Sequence, residues 1–470
     1  MQHMPLSPRM RENLKRVLNA RRVAVVGASQ EQLSVGMGPL HNLLTAGFQG
    51  EVLPVNPKYR EILSRKCYPD LESLDPLPDL AILLLNQHLA VEMAEKAGRL
   101  GIPGITIVAG GFREVGHGGQ ALNDRLRRIA FEHDMVVIGP NTLGFSTFAH
   151  GLHGIFWHLK AAPGPVAVIS QSGGVGLTMG YSLAALQCGL SHFIGVGNRT
   201  VLDFPDYLDA LRDDAGAGAF LLFIEGIENP RLLYDALRKT TPVKPVAVYK
   251  AGKNEVVSRA TATHTGSLTG EYELYRAMFR QAGAFEADSS WDAAVAAKAL
   301  SMVRPPAGNR LCALTFTAGP CIVAMDKLVG GGWELPDLRP EVKAEISAII
   351  GEKTPVEIQN PIDLTGPGFL PKNYVPVLET VLEEDFDAYL VIWNYNPMIR
   401  VPVVEMEELS RRHKNKCIVV VNLATRSEAD PFSEALASRG ICAYLTPEDG
   451  ATALNALLFR HRYLKREGFL

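Results

Sequence analysis

An excess of charge of either sign is missing from this 470-residue chain: 47 Lys and Arg stand against 50 Asp and Glu, a net charge of −3, with no long single-sign run. The electrostatic footprint of a nucleic-acid or membrane-surface protein is therefore absent. Cysteine is sparse. The six cysteines, at positions 67, 188, 312, 321, 417 and 442, include no C-x-x-C pair of the kind used by zinc or redox sites, and most lie in apolar runs. They read as buried free thiols of a reducing compartment. No apolar run approaches the ~18 residues of a membrane span, and the polar, amphipathic start of the chain has no apolar signal core. Low-complexity tracts are missing too, since the 43 Gly and 30 Pro are scattered singly or in short loops. The expectation is a cytoplasmic protein that uses neither membrane nor nucleic acid. What is present is ordinary globular composition, 47% hydrophobic and 21% charged. At about 150 residues per domain, the length points to about three domains.

One local theme recurs along the chain: a short apolar β-rich run, a Gly- or Ser-rich turn, then a helix-period segment. It occurs at Val23–Val26 before Gly27-Ala28-Ser29, at Val166–Ile169 before Ser170-Gln171-Ser172-Gly173-Gly174, and at Leu311–Phe316 before Thr317-Ala318-Gly319-Pro320. Buried-strand candidates follow at Glu51–Val55, Ala81–Leu85, Ile105–Val108, Val136–Ile138, Phe220–Ile224, Val246–Tyr249, Ala388–Trp393 and Cys417–Val421. Alternating strands and helices predict α/β modules with parallel, doubly wound sheets. The Pro/Gly-rich stretches 161–165 and 304–309 read as linkers, giving three consecutive modules over 1–160, 161–304 and 305–470. In such sheets ligands sit at the carboxyl ends of the strands.

In the first module Gly27-Ala28-Ser29 follows a strand, yet the G-x-G-x-x-G of a dinucleotide site is absent. The second strand ends in Asn56-Pro57-Lys58, where a dinucleotide fold would place an acid for the ribose hydroxyls. Lys58 instead favours a phosphate, on a ribose or in a diphosphate, which leaves NADP open as a ligand. In the second module Ser172-Gly173-Gly174 joins a strand to an apolar helix. Small residues let backbone N–H groups converge at a helix start carrying about half a positive charge, so an anion is the natural guest. The loop lacks the Lys-Ser/Thr of a P-loop and suits one phosphoryl group better than three; a turn selected only for close packing is the alternative. Among the twelve histidines, His264 has the most informative setting, in Thr263-His264-Thr265-Gly266-Ser267. A phosphoryl-accepting imidazole needs one nitrogen free and the other held by an acceptor. Glu225, closing the apolar run Phe220–Ile224, is the natural acceptor.

Four strings in order then resemble a known family. Val25–Ser29 with Ser34-Val35-Gly36, Pro54–Tyr59, Ala109–Phe112 and Ile138–Gly144 are similar to the CoA-binding domain of the NDP-forming acyl-CoA synthetases, the superfamily of ADP-forming acetate–CoA ligase and succinyl-CoA synthetase. The resemblance extends over nearly all of residues 15–465. It implies a Rossmann-like CoA-binding domain followed by two flavodoxin-like domains. Coenzyme A would lie near Gly27, Ser29, Ser34, Val35, Gly36, Asn56, Lys58, Asn86, Gly110 and Asn141. Two departures are Thr142, where the family commonly has Cys, and the turn Leu85-Asn86-Gln87-His88. His264 and Glu225 match the family's phosphohistidine and its carboxylate partner, and Ser172, Gly173 and Gly174 its phosphate loop. Gly195–Asn198 matches as well, as does Tyr249–Lys253, with Lys253 in place of Arg. In the third module Thr317–Pro320, Asn360–Gly366 and Thr446-Pro447-Glu448 also resemble the ligases, and Asp363 is given no catalytic role.

The implied activity interconverts acyl-CoA, ADP and phosphate with a carboxylic acid, CoA and ATP through an acyl phosphate and a phosphohistidine. No segment resembles the ATP-grasp domains that bind ATP or ADP and Mg²⁺ in this superfamily. A separate ATP-grasp beta subunit, in a heterotetramer, is therefore implied, and no fused acetyltransferase domain is expected. The acyl group is open; Phe145, Phe156 and Trp157 are candidates to line its pocket. His150, His153 and His158 cluster near Trp157 without an acidic or thiolate partner, and no metal site is expected there. His117 reads as an exposed loop residue. A non-catalytic CoA-binding regulatory or scaffold protein and an NADP-dependent oxidoreductase are the competing readings.

Overall fold

The computed structural model describes residues 4–31, 37–253, 272–351, 356–398 and 401–470. The chain divides into two compact units. The first comprises Met1–Ala184 with Gly189–Ala293, and the second Ala185–Cys188 with Ala294–Leu470. The first unit holds two sheets and the second holds one.

The first sheet is built from β1 (Arg22–Val26), β2 (Glu51–Val55), β5 (Leu80–Leu83), β6 (Gly104–Ile107) and β7 (Val136–Ile138). A small antiparallel ribbon, β3 (Glu61–Ile62) and β4 (Arg65–Lys66), follows β2 in the chain. The sheet order is β2-β1-β5-β6-β7, parallel throughout. The second sheet contains β8 (Phe145–Thr147), β9 (Leu152–His153), β10 (Pro163–Ser170), β11 (Leu190–Gly195), β12 (Ala219–Ile224), β13 (Val246–Lys250) and β14 (Ala284–Glu286), ordered β14-β13-β12-β10-β11-β8-β9. Its last two strands are antiparallel, β8 to β11 and β9 to β8. The third sheet contains β15 (Leu311–Thr315), β16 (Ile362–Asp363), β17 (Ala388–Asn394), β18 (Cys417–Leu423) and β19 (Ala443–Tyr444), all parallel, ordered β16-β15-β17-β18-β19.

Numbered by their parallel strands, all three sheets read 2-1-3-4-5, the doubly wound order in which the winding reverses beside the first strand. The expected α/β architecture is thus present three times. Strands covered on both faces must be apolar on both faces, and β5, β6, β11, β12 and β15 are buried at every position. The helices follow their own signals. Helix 8–18 opens on Ser7, whose hydroxyl accepts from Met10 N at 3.1 Å, and buries Met10, Leu14, Val17 and Leu18 on one stripe.

Several local expectations are revised. Phe145, read as a loop residue, lies in β8, opposite Ile194, and is fully buried. Pro163–Pro165, read as linker, already forms the start of β10, with an irregular register against β11. His117 opens the helix His117–Glu132. The six cysteines are buried and free; burial pushes the Cys188 and Cys321 thiols up to about 12, which leaves them poor nucleophiles. No helix among the described residues is long and apolar enough to cross a membrane.

The third sheet is pinned by an aromatic triad. Trp393 meets Phe316 and Tyr374 edge-on, with centroids 5.2 and 4.7 Å away, and all three rings are buried. Trp393→Ala is expected to lower stability by about 3–5 kcal/mol, read as a fall in the urea midpoint of the transition that reports the second unit.

Candidate functional site

The first site residues gather at the carboxyl edge of the first sheet. Gly27 follows β1 with φ +82°, and a Cβ there would stand 2.7 Å from the carbonyl oxygen of Leu84, after β5. Only glycine fits where the two strands diverge. Asn56, after β2, donates from Nδ2 to Ala28 O at 2.8 Å and accepts from Lys58 N at 3.0 Å, leaving Lys58 exposed at the edge. Ser29 Oγ accepts from Glu31 N. Asn86 caps the helix Gln87–Leu100, its Oδ1 accepting from His88 N and Leu89 N at 3.1 Å each. Gly110 follows β6 and Asn141, with φ +57°, follows β7. A Cβ on Gly110 would stand 3.4 Å from the Asn141 carboxamide. Ser34, Val35 and Gly36 lie outside the described residues.

This edge runs into the second sheet. Asn141 donates to Asn198 Oδ1 at 3.3 Å, and Asn198 donates to the carboxylate of Glu114. Glu114 in turn accepts from Gly111 N at 2.6 Å and Phe112 N at 3.3 Å. Gly197, with φ +55°, brings its backbone so close that a Cβ would stand 2.3 Å from Pro140 O. Arg113 forms an ion pair with Glu228, beyond the end of β12. The turns after β6 and β7 are therefore tied to the loops after β11 and β12. Glu114 carries no role in the sequence reading; its signal was a carboxylate placed three residues after a Gly that needs its N–H satisfied.

At the winding reversal of the second sheet, between β10 and β12, lies a second polar network. Ser170 Oγ donates to Ser172 O at 2.6 Å, and Ser172 Oγ accepts from Val175 N at 3.4 Å at the start of the helix Gly173–Ala185. A Cβ on Gly174 would meet none of the described residues within 4 Å, whereas one on Gly173 would stand 2.7 Å from Leu143 Cγ. Gln171 donates its backbone N–H to Phe223 O at 3.1 Å and crosses the reversal with its side chain. Its Oε1 accepts from Glu225 N at 3.0 Å and Gly226 N at 3.2 Å. Glu225, 9% exposed, thus stands at the carboxyl end of β12, its backbone bound by the residue that precedes Ser172. His264 lies outside the described residues, so its distance to Glu225 is not part of this geometry.

Lys250, the last residue of β13, is 1% exposed and donates to Glu225 O at 2.8 Å and Ala251 O at 2.5 Å. Lys253 pairs with Asp288 at 2.8 Å. Asp363 accepts from Thr365 N at 2.9 Å, a local turn. Among the other histidines, His153 packs edge-on to Phe148, with centroids 4.9 Å apart; burial lowers its pKa, and His158 adds to the effect. No group of three or more His, Cys, Asp or Glu among the described residues is placed to hold a metal ion. A surface cleft lined by Phe48, Glu51, Arg65 and Lys66 lies toward the amino end of β2, away from these strand ends.

Comparison with known proteins gives the class first. Residues 21–147 match the family described as a CoA binding domain, and residues 163–300 match the succinyl-CoA ligase like flavodoxin domain. The chain is 31% identical over 446 residues to the acetate–CoA ligase (ADP-forming) II subunit alpha of Pyrococcus furiosus, covering 94% of this chain and 96% of that one. It is 30% identical to the acetate–CoA ligase (ADP-forming) I of Archaeoglobus fulgidus, covering 94% of this chain but 63% of that longer protein. The solved dinucleotide forming acetyl-coenzyme A synthetase 1 of Ca. Korarchaeum cryptofilum, in complex with phosphate and ADP, superimposes with a TM-score of 0.87 at 30% identity, over 97% of this chain and 98% of that one. The chain belongs to the family of ADP-forming acetate–CoA ligase alpha subunits, within the NDP-forming acyl-CoA synthetases.

Burial pushes the Lys250 ammonium down to about 8 from 10.5, against the pull of the Glu225 and Glu286 carboxylates. Between those two values the unfolded chain holds a proton that the folded one has released, so this group makes folding more favourable as pH rises through that window. Chemical denaturation at pH 7.5 and 10 should show that rise in the native chain and a smaller one in Lys250→Met.

Proposed function

We propose that this chain is the alpha subunit of an acid–CoA ligase, ADP-forming, which passes a phosphoryl group through His264. A phosphate oxygen attacks the thioester carbonyl of acyl-CoA, the C–S bond breaks, and CoA leaves as the thiol. A nitrogen of His264 then attacks phosphorus of the acyl phosphate, and the P–O bond breaks to release the carboxylate. A terminal phosphate oxygen of ADP finally takes the phosphoryl group as the P–N bond breaks, forming ATP. Storing the phosphoryl group on nitrogen divides one demanding exchange into separate in-line displacements.

The observation that carries this reading is the placement of Glu225. Its turn is bound to Gln171, directly before the helix start at Ser172, Gly173 and Gly174. In the proposed role, Glu225 accepts the N–H of His264 and holds the imidazole in the tautomer whose other nitrogen attacks. The helix start holds the phosphoryl oxygens with backbone N–H groups already oriented. Coenzyme A is assigned to the edge of the first sheet, with its phosphates near Gly27, Ser29 and Lys58 and its remainder toward Asn56, Asn86, Gly110 and Asn141. The positive-φ turn at Gly27 and the exposed Lys58 cation fit an anionic ligand there. Ser34, Val35 and Gly36 complete the proposed set. ATP, ADP and Mg²⁺ are assigned to an ATP-grasp beta subunit in a heterotetramer. Support comes from the name of the Pyrococcus relative, a subunit alpha, and from the greater length of the Archaeoglobus relative. Balanced charge and buried free thiols support a cytoplasmic setting.

The test is phosphoryl labelling of the complex assembled with its nucleotide-binding partner. γ-labelled ATP should leave base-stable, acid-labile label on the alpha chain. His264→Ala should abolish it. Glu225→Gln should slow its appearance by about 10²–10⁴-fold, the range of a lost proton-handling group. CoA binding by calorimetry should be unchanged in both variants. CoA binding without label would return the scaffold reading, and NADPH binding without CoA binding would return the oxidoreductase.

A further inference from the structure

The turn that carries Glu225 is held by more than Gln171. Lys250 Nζ donates to Glu225 O at 2.8 Å from the neighbouring strand β13. The same ammonium lies 4.7 Å from the ring centre of Tyr275, on the helix Tyr272–Ala282, and the Tyr275 hydroxyl accepts from Ile227 N at 3.1 Å. Four backbone groups of the 225–227 turn meet three side chains: two N–H groups meet Gln171, the Glu225 carbonyl meets Lys250, and the Ile227 N–H meets Tyr275. Lys250 and Tyr275 also brace one another through the ring face.

We infer that Lys250 is a positioning residue for Glu225, its buried ammonium clamping the Glu225 carbonyl against the Tyr275 ring so that the carboxylate keeps one place and its negative charge. This rests on the reading of Glu225 as the partner of the phosphoryl-accepting histidine. The charges facing the ammonium are the carboxylates of Glu225, directly after β12, and of Glu286, on β14. Glu286 also accepts from the Tyr272 hydroxyl, which leaves Glu225 as the facing carboxylate whose own turn the ammonium holds. A buried ammonium disfavours the folded state at neutral pH, and Met would fill the same volume without that penalty.

The experiment uses the full complex, with acyl-CoA, ADP and phosphate as substrates and γ-labelled ATP for the phosphoryl step. Lys250→Met should lower kcat by about 10–100-fold, the cost of a group displaced by ~1 Å. The KM for acyl-CoA should stay within about twofold, because the proposed CoA edge is untouched. Lys250→Arg, which keeps the charge, should recover about tenfold of that loss. In the Glu225→Gln background Lys250→Met should have little further effect, since residues acting as one unit are not additive. If Lys250→Met does not fold, Tyr275→Phe carries the test: it keeps the ring, removes the acceptor of Ile227 N, and should lower kcat with KM unmoved. A wild-type kcat in Lys250→Met, a loss that multiplies fully onto Glu225→Gln, or a rise in KM to match the fall in kcat overturns the inference. If Glu225→Gln slows labelling while Lys250→Met labels at the native rate, the role of Lys250 alone fails. If Glu225→Gln labels like the native chain, the reading of Glu225 fails and the role of Lys250 with it.

Discussion

The side chain of Gln171 spans the point where the winding of the second sheet reverses, and its one carbonyl oxygen receives both Glu225 N and Gly226 N. Doubly wound sheets leave a gap at that point, because the loops after the two central strands turn to opposite faces. A gap lined by backbone donors is costly unless something accepts from them. Here the acceptor belongs to the residue directly before the helix start that is proposed to hold a phosphoryl group. The proposed anion-binding loop and the carboxylate turn therefore share one hydrogen-bonded bridge.

The same sheet order appears three times with different loops at the reversal. In the first sheet Gly27 passes against the carbonyl of Leu84, a Cβ there standing 2.7 Å from its oxygen. In the third, Asn394 Nδ2 donates to Thr317 Oγ1 at 3.3 Å across the corresponding strands, β17 and β15. A shared topology thus sets where polar side chains can gather, and the side chains decide what each gap holds. Within the first unit the two edges are coupled through the Asn141–Asn198–Glu114 chain and the Arg113–Glu228 pair. The turn that presents Gly110 consequently shares its supports with the loops around Glu225.

The central strands were legible from residues alone, because β1, β5, β6, β12, β15 and β17 are apolar runs whose only stable place is between two helical layers. β11 was not, since Leu-Ser-His-Phe-Ile-Gly interrupts its run with Ser191 and His192, both buried. β8 and β9 were not legible: they are two or three residues long, β8 gains its pairing from β11, far along the chain, and β9 pairs in turn onto β8. Glu225, Asn56, Gly110 and Asn141 could be placed at strand ends because the strands themselves were legible. The supports behind them could not. Gln171 and Glu225 are 54 residues apart, and Glu114 and Asn198 are 84 apart. No periodicity joins such pairs; only the folded sheet does.

The most direct test of the central claim is amide hydrogen exchange at Glu225 and Gly226. If Gln171 holds both N–H groups, they should exchange as slowly as the amides inside β12, and Gln171→Leu should release these two while β12 stays protected. Rapid exchange at both positions in the native chain, or protection that survives Gln171→Leu, would contradict the account.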